Sequence, residues 1–345
     1  MAYPDILKDL TRCIELKQPE RVACFPLGCD FDVRQTRYTH KQYRTSPECM
    51  LELQKKIITG FDYDWALLFP DDLIEWEYTG IEVTDDDWIP PGTKKYLDPS
   101  PSVLAQMRLP NPVKDGRMPL HLEGLRRIKS FFGGNVCVTG RVAAPFTAVS
   151  LILGVEQLLM LMIEDPPLLR KWMAWAEQCI EIWAQAQIEA GADALWVGDC
   201  IATSKFLSLE AVNEFAMEPA GHTAAYIRSK NAFSFYHGNE TRISYLEAAA
   251  RMVKPSAINV GEDADIREIK KHIGSRICIM GNLDPIHTLQ NGTEKTVMEE
   301  TKRVVHSAMQ NGGYIFCTGE GIPHNTPAVN VKTCVETVKT EGQYK

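Results

Sequence analysis

Short apolar runs alternate with longer amphipathic segments through the second half of the chain. Each run holds about four to eight residues rich in apolar, β-branched or aromatic types, bounded by Gly or a polar residue, which is typical of buried strands. The segments before the runs have the length and periodicity of helices. This alternation predicts repeated βα units and a parallel sheet. The predicted strands are ALWVGD (194–199), FSFYH (233–237), INVG (258–261), ICIMG (277–281) and YIFCTG (314–319).

Two further strands are predicted in the first half of the chain, DWALLF (64–69) and VCVTGRV (136–142). Residues 76–120 between them are rich in Pro, Asp and Gly, and we interpret them as an irregular insertion because the βα pattern resumes afterwards. About eight βα units without an open-sheet nucleotide motif favour an α/β fold, a closed (β/α)8 TIM barrel with an N-terminal extension. Residues 1–345 then form one barrel domain. The predicted helices cover 165–193, 209–230, 244–253, 264–274 and 293–313.

Composition narrows the class of protein. The net charge of −8 leaves no basic surface of the kind that nucleic acids require, so a nucleic-acid partner is not expected. No apolar run reaches the roughly 18 residues of a membrane-spanning helix, and the N-terminus lacks the features of a secretory signal. We therefore expect a cytoplasmic protein with no membrane partner. The ten cysteines are scattered and include no C-x-x-C pair, so most are expected to be reduced core thiols.

Three of the predicted strands end on residues that can bind a metal. These are His237, Glu262 and Cys317, and the ends of parallel barrel strands meet at one face, where a barrel enzyme has its active site. Three protein ligands with a vacant fourth position form the pattern of catalytic zinc. Each residue also has an ordinary alternative role. His237 could be a core histidine, Glu262 a cap for the following helix, and Cys317 a buried small thiol.

Other polar residues also lie at strand ends and could line the same site. Glu320 follows the last strand and could act as an acid, a base or a metal neighbour, and Asp199 could anchor a substrate or cap the next helix. We predict these two as catalytic. The predicted substrate-binding residues are Asp71, Arg141, Asn239 and Asn282.

Several of these segments together resemble the uroporphyrinogen decarboxylase-like superfamily, and within it the branch of corrinoid-dependent methyltransferases. They occur in the family's order from about residue 20 to residue 330, so that nearly the whole chain is covered. Their joint occurrence is specific to the superfamily and less specific to one activity. They include DWALLFPDDLIEWEYTGIEV, VTGRVAAPFTAVSLILG, EAGADALWVGD, FYHGNE, INVGEDADI, ICIMGNLDP and GGYIFCTGEGIPHNTP.

The resemblance argues against tetrapyrrole decarboxylation. The decarboxylases have an R-Q-A-G-R motif for substrate carboxylates, and the nearest string here, Arg34 to Tyr38, reads RQTRY. Their motif YMIEG corresponds to SLILG (150–154), which lacks the Tyr. Their last strand ends in G-H-G-I, where this chain has Gly319-Glu320-Gly321-Ile322 without the His. A decarboxylase that depends on Arg34 or Arg37 stays as an alternative.

The methyltransferase branch implies a zinc enzyme with a changed ligand set. Its thiol-activating members bind zinc through H-x-C and a later Cys, with a Glu as a further ligand. Alignment on Gly238 places His237 at the Cys position and Phe235 at the His position, while Glu262 and Cys317 match. The resemblance thus implies one His, one Glu and one Cys around zinc. Such a zinc would stabilise the charge that develops on a leaving alkoxide or phenolate oxygen.

The predicted function follows from this resemblance. We expect a methyltransferase that moves methyl from a small methoxylated compound, for example an aromatic one, to the cobalt(I) of a corrinoid. No D-x-H-x-x-G stretch is present, so the corrinoid is expected on a separate corrinoid-binding protein. Two alternatives besides decarboxylation stay open: transfer of methyl from the corrinoid to a thiol, and a member that only binds a ligand or a partner.

Overall fold

The computed structural model describes residues 3–344 and contains a parallel eight-stranded sheet curled into a barrel. The hydrogen-bonded strand order is β1-β10-β9-β8-β7-β6-β5-β2, and β3 pairs with β4 in a separate antiparallel hairpin. The strands are β1 (Ala23–Cys24), β2 (Trp65–Leu67), β3 (Glu82–Val83), β4 (Thr93–Lys95), β5 (Cys137–Ala143), β6 (Ala194–Gly198), β7 (Phe233–His237), β8 (Ala257–Asn259), β9 (Cys278–Met280) and β10 (Tyr314–Phe316).

The barrel closes between its two end strands through Asp64. The Asp64 backbone N–H donates to the Cys24 carbonyl at 3.0 Å, and the Cys24 N–H donates to Asp64 Oδ2 at 2.8 Å. Arg21 donates to both carboxylate oxygens of Asp64 at 2.6 Å. The side chain therefore replaces part of the missing ladder between β1 and β2. With this closure, the predicted (β/α)8 barrel is confirmed.

Helices surround the barrel. The segment predicted as one helix over 209–230 is divided in two, because Pro219 has no N–H to donate to the Phe215 carbonyl and a continuous helix would lose that bond. A short 3₁₀-helix covers Glu77–Thr79, and a short π-helix covers Pro285–Gln290. The α-helices are α1 (Ile6–Ile14), α2 (Cys29–Arg34), α3 (His40–Thr45), α4 (Pro47–Phe61), α5 (Pro101–Leu104), α6 (Met118–Phe132), α7 (Pro145–Leu153), α8 (Val155–Glu164), α9 (Pro166–Glu189), α10 (Leu209–Phe215), α11 (Met217–Ser229), α12 (Ile243–Met252), α13 (Ile266–Ile273), α14 (Glu294–Ala308) and α15 (Ala328–Glu341).

None of the helices within residues 3–344 could cross a membrane by itself, by length and composition. The pair α7 and α8 passes that test only when taken together, and the two helices bend by 113° at the break between them.

Aromatic rings fill the interior of the barrel. Phe25 stacks on Trp65 with ring centroids 4.8 Å apart, and Trp65 meets Trp196 edge-on at 5.8 Å. Trp65 of β2 and Trp196 of β6 come from strands that are not neighbours in the sheet, so their rings meet inside the barrel. Large buried rings remove much apolar surface from water and leave the interior packed. The Trp196 ring also packs against the His237 ring, with the two ring centroids 4.9 Å apart.

The segment predicted as an irregular insertion contains the β3–β4 hairpin. Thr93 Oγ1 donates to the Leu151 carbonyl at 2.9 Å, and the Leu97 N–H donates to the Ile152 carbonyl at 3.0 Å, which joins the hairpin to α7. Asp85 forms ion pairs with Lys41 and Arg44 of α3 at 2.6 and 2.7 Å. The hairpin is thus held on both sides above the mouth of the barrel.

Candidate functional site

A cavity of about 430 Å³ lies at the C-terminal ends of the barrel strands. The β3–β4 hairpin forms one wall through Pro91, Gly92, Thr93 and Tyr96. The rest of the wall comes largely from loops that follow the strands and from α7. Much of it is apolar or aromatic, including Phe69, Leu73, Leu151, Val155, Trp196 and Ile201. The polar lining includes Arg141 with Asp72 and a separate group of side chains around His237.

His237 is the last residue of β7 and lines the cavity. Asn259 pairs with it in the register of β7 and β8, and His237 Nδ1 lies 2.7 Å from Asn259 Oδ1. The Asn259 amide nitrogen donates to the Thr318 carbonyl, so its oxygen faces the imidazole and accepts from the Nδ1–H. The other ring nitrogen, Nε2, can then accept or donate a proton on the side of the cavity.

Glu320 lies beside this nitrogen, with Oε2 3.6 Å from His237 Nε2. The Asn239 side-chain amide donates to Oε2 at 3.0 Å, and the Gly321 N–H donates to Oε1 at 2.8 Å. Burial raises the pKa of Glu320, but His237 and these two donors outweigh it and lower the pKa to about 2. The carboxylate is therefore ionised at neutral pH and can stabilise a positive charge on the imidazole.

Cys200 completes the polar group and is absent from the residues predicted from the sequence. It lines the cavity, as His237 does. The register of the sheet explains this: Gly198 of β6 pairs with His237, so the chain just after β6 passes over the ring. Burial lowers the pKa of His237, but Cys200 and Glu320 reverse this effect and raise the pKa well above its usual value.

The predicted metal ligands do not form one site. Within residues 3–344, no group of three or more His, Cys, Asp or Glu side chains is arranged to hold a metal ion. Cys317 is fully buried and is not part of the cavity wall, whereas Glu320, three residues later, reaches it. Glu262 packs against Gly319: a Cβ added at that glycine would lie 2.7 Å from the Glu262 Cβ. Of the three predicted ligands, only His237 lines the cavity.

Two predicted binding residues contribute to the cavity and its surroundings. Arg141 lines it, but its guanidinium is paired with Asp72 and, at 2.8 Å, with Glu75. Asn239 acts through Glu320, to which it donates its hydrogen bond. Arg141 is thus held by carboxylates of the protein, and Asn239 orients an acidic side chain of the cavity.

Three other predicted residues lie outside the cavity wall as the structure describes it. Asp71 is buried and forms an ion pair with Arg117 at 2.6 Å. The Asn282 side chain donates to the Gly261 and Ala264 carbonyls at 2.9 and 2.8 Å, which fixes the loop after β8. Asp199 is fully buried and accepts hydrogen bonds from Thr147 and Tyr236, both at 2.8 Å. Their contacts connect structural elements, and a role in the chemistry stays a prediction.

Comparison with known proteins places the chain in a family. A model of the family described as Uroporphyrinogen decarboxylase (URO-D) matches residues 7–341. The chain belongs to the uroporphyrinogen decarboxylase family. The resemblance seen in the sequence is thereby confirmed at the level of the family.

Individual relatives are distant in sequence. The uroporphyrinogen decarboxylase of Anaeromyxobacter dehalogenans is 26% identical over 316 residues, covering 86% of each chain. That of Chlorobaculum tepidum is 25% identical over 313 residues, covering 86% of this chain and 85% of its own. Among solved structures, a methyltransferase from Methanosarcina mazei has a TM-score of 0.87 at 21% identity, covering 97% of this chain and 98% of its own. At that identity, the structural likeness establishes the shared fold.

In this family member, the stability should depend on pH through Asp199. Burial raises the pKa of Asp199 from 3.8 to about 6, against the opposing effect of Tyr236 and Thr147. Protonation of Asp199 therefore adds to the free energy of unfolding. This contribution is complete below about pH 4 and is lost as the pH rises through about 6. Its size is on the order of 3 kcal/mol.

Asp199→Asn removes the titrating group and keeps the polar shape. We expect the variant to gain stability relative to the parent protein between about pH 4 and pH 8, by roughly 3 kcal/mol. Urea unfolding of both proteins across that range measures the change. A stability difference that stays constant with pH would show that Asp199 does not titrate in this way.

Proposed function

We propose that this protein is a methyltransferase that takes the methyl group from a small methoxylated aromatic compound and delivers it to the cobalt(I) of a corrinoid on a separate protein. The observation that carries the proposal is the cavity at the barrel mouth: it is closed on one side by the hairpin, its walls are largely apolar and aromatic, and it holds a group of polar side chains around His237. An aromatic ring fits such walls, while its methoxyl oxygen can be directed to the polar group.

The size of the cavity favours a single-ring substrate over a tetrapyrrole. An apolar cavity of about 150 Å³ accommodates a benzene molecule. The 430 Å³ available here therefore holds one substituted ring together with the reacting groups. Four rings would need roughly 600 Å³ on the same scale, before the acid side chains of the macrocycle are counted.

The charges around the cavity also disfavour a polycarboxylate. Among the lining residues that the structure describes, the one permanently cationic side chain is Arg141, and Asp72 and Glu75 already neutralise it. Glu320 adds a negative charge to the same wall. A substrate with several carboxylates would leave them unpaired in this site, which costs several kcal/mol for each buried charge.

The polar group can assist the departure of the methoxyl oxygen. Displacement at the methyl carbon leaves a phenolate, and a positioned acid that protonates this oxygen lowers the barrier. His237 has the geometry for this role, because Nδ1 is fixed by Asn259 and Nε2 faces Glu320. Glu320 stabilises the protonated imidazole before the proton is donated.

Zinc remains part of the prediction from sequence, but the described side chains do not converge on a three-ligand site. Elemental analysis of the purified protein beside Cys317→Ser tests this point. Since Cys317 is buried away from the cavity wall, we expect the substitution to leave the metal content unchanged. Loss of zinc from this variant would restore the predicted ligand set.

Exposed apolar side chains near the barrel mouth support a protein partner. Trp88 and Ile89 are on the hairpin, Phe206 is in the segment after β6, and Ile286 follows β9. All four follow the C-terminal ends of strands, on the side of the barrel that carries the cavity. Exposed apolar residues that form a contiguous patch are typical of an interaction surface, and we propose these four as part of one. A corrinoid-binding protein could contact them while its cobalt approaches the cavity.

An assay in both directions tests the proposal. In the forward direction, the protein is mixed with cob(I)alamin and methoxylated benzoates, and the methylcobalt product and the phenol are quantified. In the reverse direction, methylcobalamin is offered with small thiols. We expect forward transfer to dominate. Transfer to thiols without demethylation of any ether would favour the alternative methyltransferase.

A further inference from the structure

Asp72 keeps one carboxylate oxygen available in the cavity wall. It follows β2, lines the cavity, and 52% of its side chain is exposed. The neighbouring Asp71, which was predicted from the sequence, is instead buried and paired with Arg117. Oδ1 of Asp72 accepts a hydrogen bond from Arg141 Nη2, whereas Oδ2 accepts none from the backbone or side chains of residues 3–344. This second oxygen can accept a hydrogen bond from a ligand.

Arg141 fixes the position of Asp72. Its buried guanidinium donates to the Asp72 carboxylate and, at 3.1 Å, to the Asp72 carbonyl. Glu75 Oε1 accepts from the same guanidinium at 2.8 Å. Gln187 holds the backbone of Arg141, because its Oε1 accepts from the N–H at 3.0 Å and its Nε2 donates to the carbonyl at 2.9 Å. An acceptor that is held in place loses little conformational freedom when a ligand binds.

The charges of these side chains favour a ligand group that donates a hydrogen bond. The positive charge of Arg141 is balanced by Asp72. Burial raises the pKa of Glu75 to about 7, against the opposing effect of Arg141, so the three side chains together carry between zero and one negative charge at neutral pH. A carbonyl or carboxylate oxygen of a ligand would meet the lone pairs of Oδ2, whereas a hydroxyl can supply a hydrogen to them.

Strand β6 lies between this group and the polar group around His237. Two strand spacings separate β5, which carries Arg141, from β7, which carries His237, and this is about 10 Å across the sheet. Gly198 of β6 lines the cavity between them and pairs with His237 in the register of the sheet. A Cβ built on this glycine would lie 3.8 Å from Arg141 Nη2. An aromatic ring can therefore lie over Gly198 with one end toward each polar group.

We propose that Asp72 selects the substrate by accepting a hydrogen bond from a phenolic hydroxyl at the end of the ring opposite the methoxyl group. This inference rests on the proposed function and deepens it, because it narrows the methoxylated aromatic compounds to those with a free hydroxyl. Asp72 is the binding residue, and Arg141 and Glu75 position it. A hydrogen bond to an ionised acceptor is about twice as strong as one between neutral groups.

Calorimetric binding without cobalt tests the contact directly. The full-length protein is titrated with 4-methoxyphenol and with methoxybenzene, which differ only in the hydroxyl. We expect 4-methoxyphenol to bind about 10- to 100-fold more tightly, the range for a hydrogen bond to a charged group. In 2-methoxyphenol the hydroxyl lies beside the methoxyl, away from Asp72, so this compound should bind about as weakly as methoxybenzene.

Asp72→Asn should change the preference of the site from a donor to an acceptor. Arg141 can still donate to the side-chain oxygen, so the amide nitrogen takes the place of Oδ2. The parent protein should prefer 4-methoxyphenol to 4-methoxyacetophenone, whose carbonyl oxygen can only accept. The variant should lose or reverse this preference. A residue that only stabilised its loop would lower the two affinities together.

Asp87→Asn serves as the matched control. Asp87 is exposed on the hairpin outside the cavity wall, and the substitution changes the net charge by the same amount. This variant should keep the preference of the parent protein for 4-methoxyphenol. A loss of preference in both variants would trace the effect to net charge and overturn the role of Asp72.

Turnover with cob(I)alamin separates this inference from the proposed function. We expect kcat/KM to be highest for 4-methoxyphenol and to follow the order of the affinities. Methylcobalt formed equally well from 4-methoxyphenol and methoxybenzene, with equal affinities, would overturn the inference and leave the proposed function standing. Absence of methylcobalt from every ether, with the binding preference present and altered by Asp72→Asn, would count against the proposed function and still support Asp72 as the acceptor.

Discussion

Replacing His237 with alanine is expected to lower the rate of methyl transfer by roughly 10²–10⁴-fold, the range that a positioned acid–base group contributes. The physical reason is that the side chain links three functions. Its Nε2 receives or donates the proton at the cavity, its charge is balanced by Glu320, and its orientation is fixed by Asn259. No other imidazole lines the cavity among the described residues.

Single-turnover rates with saturating methoxybenzoate measure this effect. The loss should appear in kcat more than in KM, because the apolar walls that bind the ring are unchanged. Added imidazole should restore part of the rate by occupying the space that the ring leaves. His272→Ala, on α13 and outside the cavity wall, serves as the control and should react at the parental rate. A His237→Ala rate within a few-fold of the parent would contradict the role given to this residue.

The second large effect is a loss of stability on replacing Asp64, which joins β1 and β2 where the barrel closes. Asp64→Ala should lower the free energy of unfolding by about 3–5 kcal/mol, because removal of one partner leaves a buried charge without compensation. Asp64 is fully buried, receives two hydrogen bonds of 2.6 Å from Arg21, and accepts from the Cys24 N–H. The substitution also opens the junction between β1 and β2, where the end strands have few other hydrogen bonds.

Urea unfolding of the parent and of Asp64→Ala measures the change. Glu15→Ala is a suitable control because its ion pair with Lys17 has the same chemistry but is exposed to solvent. Exposed pairs contribute little, so this variant should stay within about 0.5 kcal/mol of the parent. If Asp64→Ala costs no more than Glu15→Ala, Asp64 does not close the barrel in the way described.

The barrel was predictable because its strands are apolar runs that recur between helices. The strand predicted at 233–237 is found as β7 with the same bounds. The strand β1 was missed because it comprises two residues, Ala23 and Cys24, and Pro26 interrupts the apolar run soon afterwards. The hairpin in residues 76–120 was also missed, since its strands are short, polar and irregular in register.

The site was predicted in part, because strand ends can be located from sequence but side-chain directions beyond them cannot. His237 ends β7 and was found by its position. Beyond β10 the chain leaves the regular pleat, so that the predicted Cys317 is buried while Glu320 reaches the cavity. Cys200 was overlooked because its importance depends on the register that brings the end of β6 beside His237. No local sequence signal encodes that contact.

The most direct test of the central claim uses a substrate that offers both chemistries at once. A methoxybenzoate carries a methyl ether and a carboxylate, and the purified protein is supplied with it and with cob(I)alamin. The account predicts methylcobalt and a hydroxybenzoate in equal amounts, with the carboxyl group retained. Release of carbon dioxide and methoxybenzene, with cobalt left unmethylated, would contradict it.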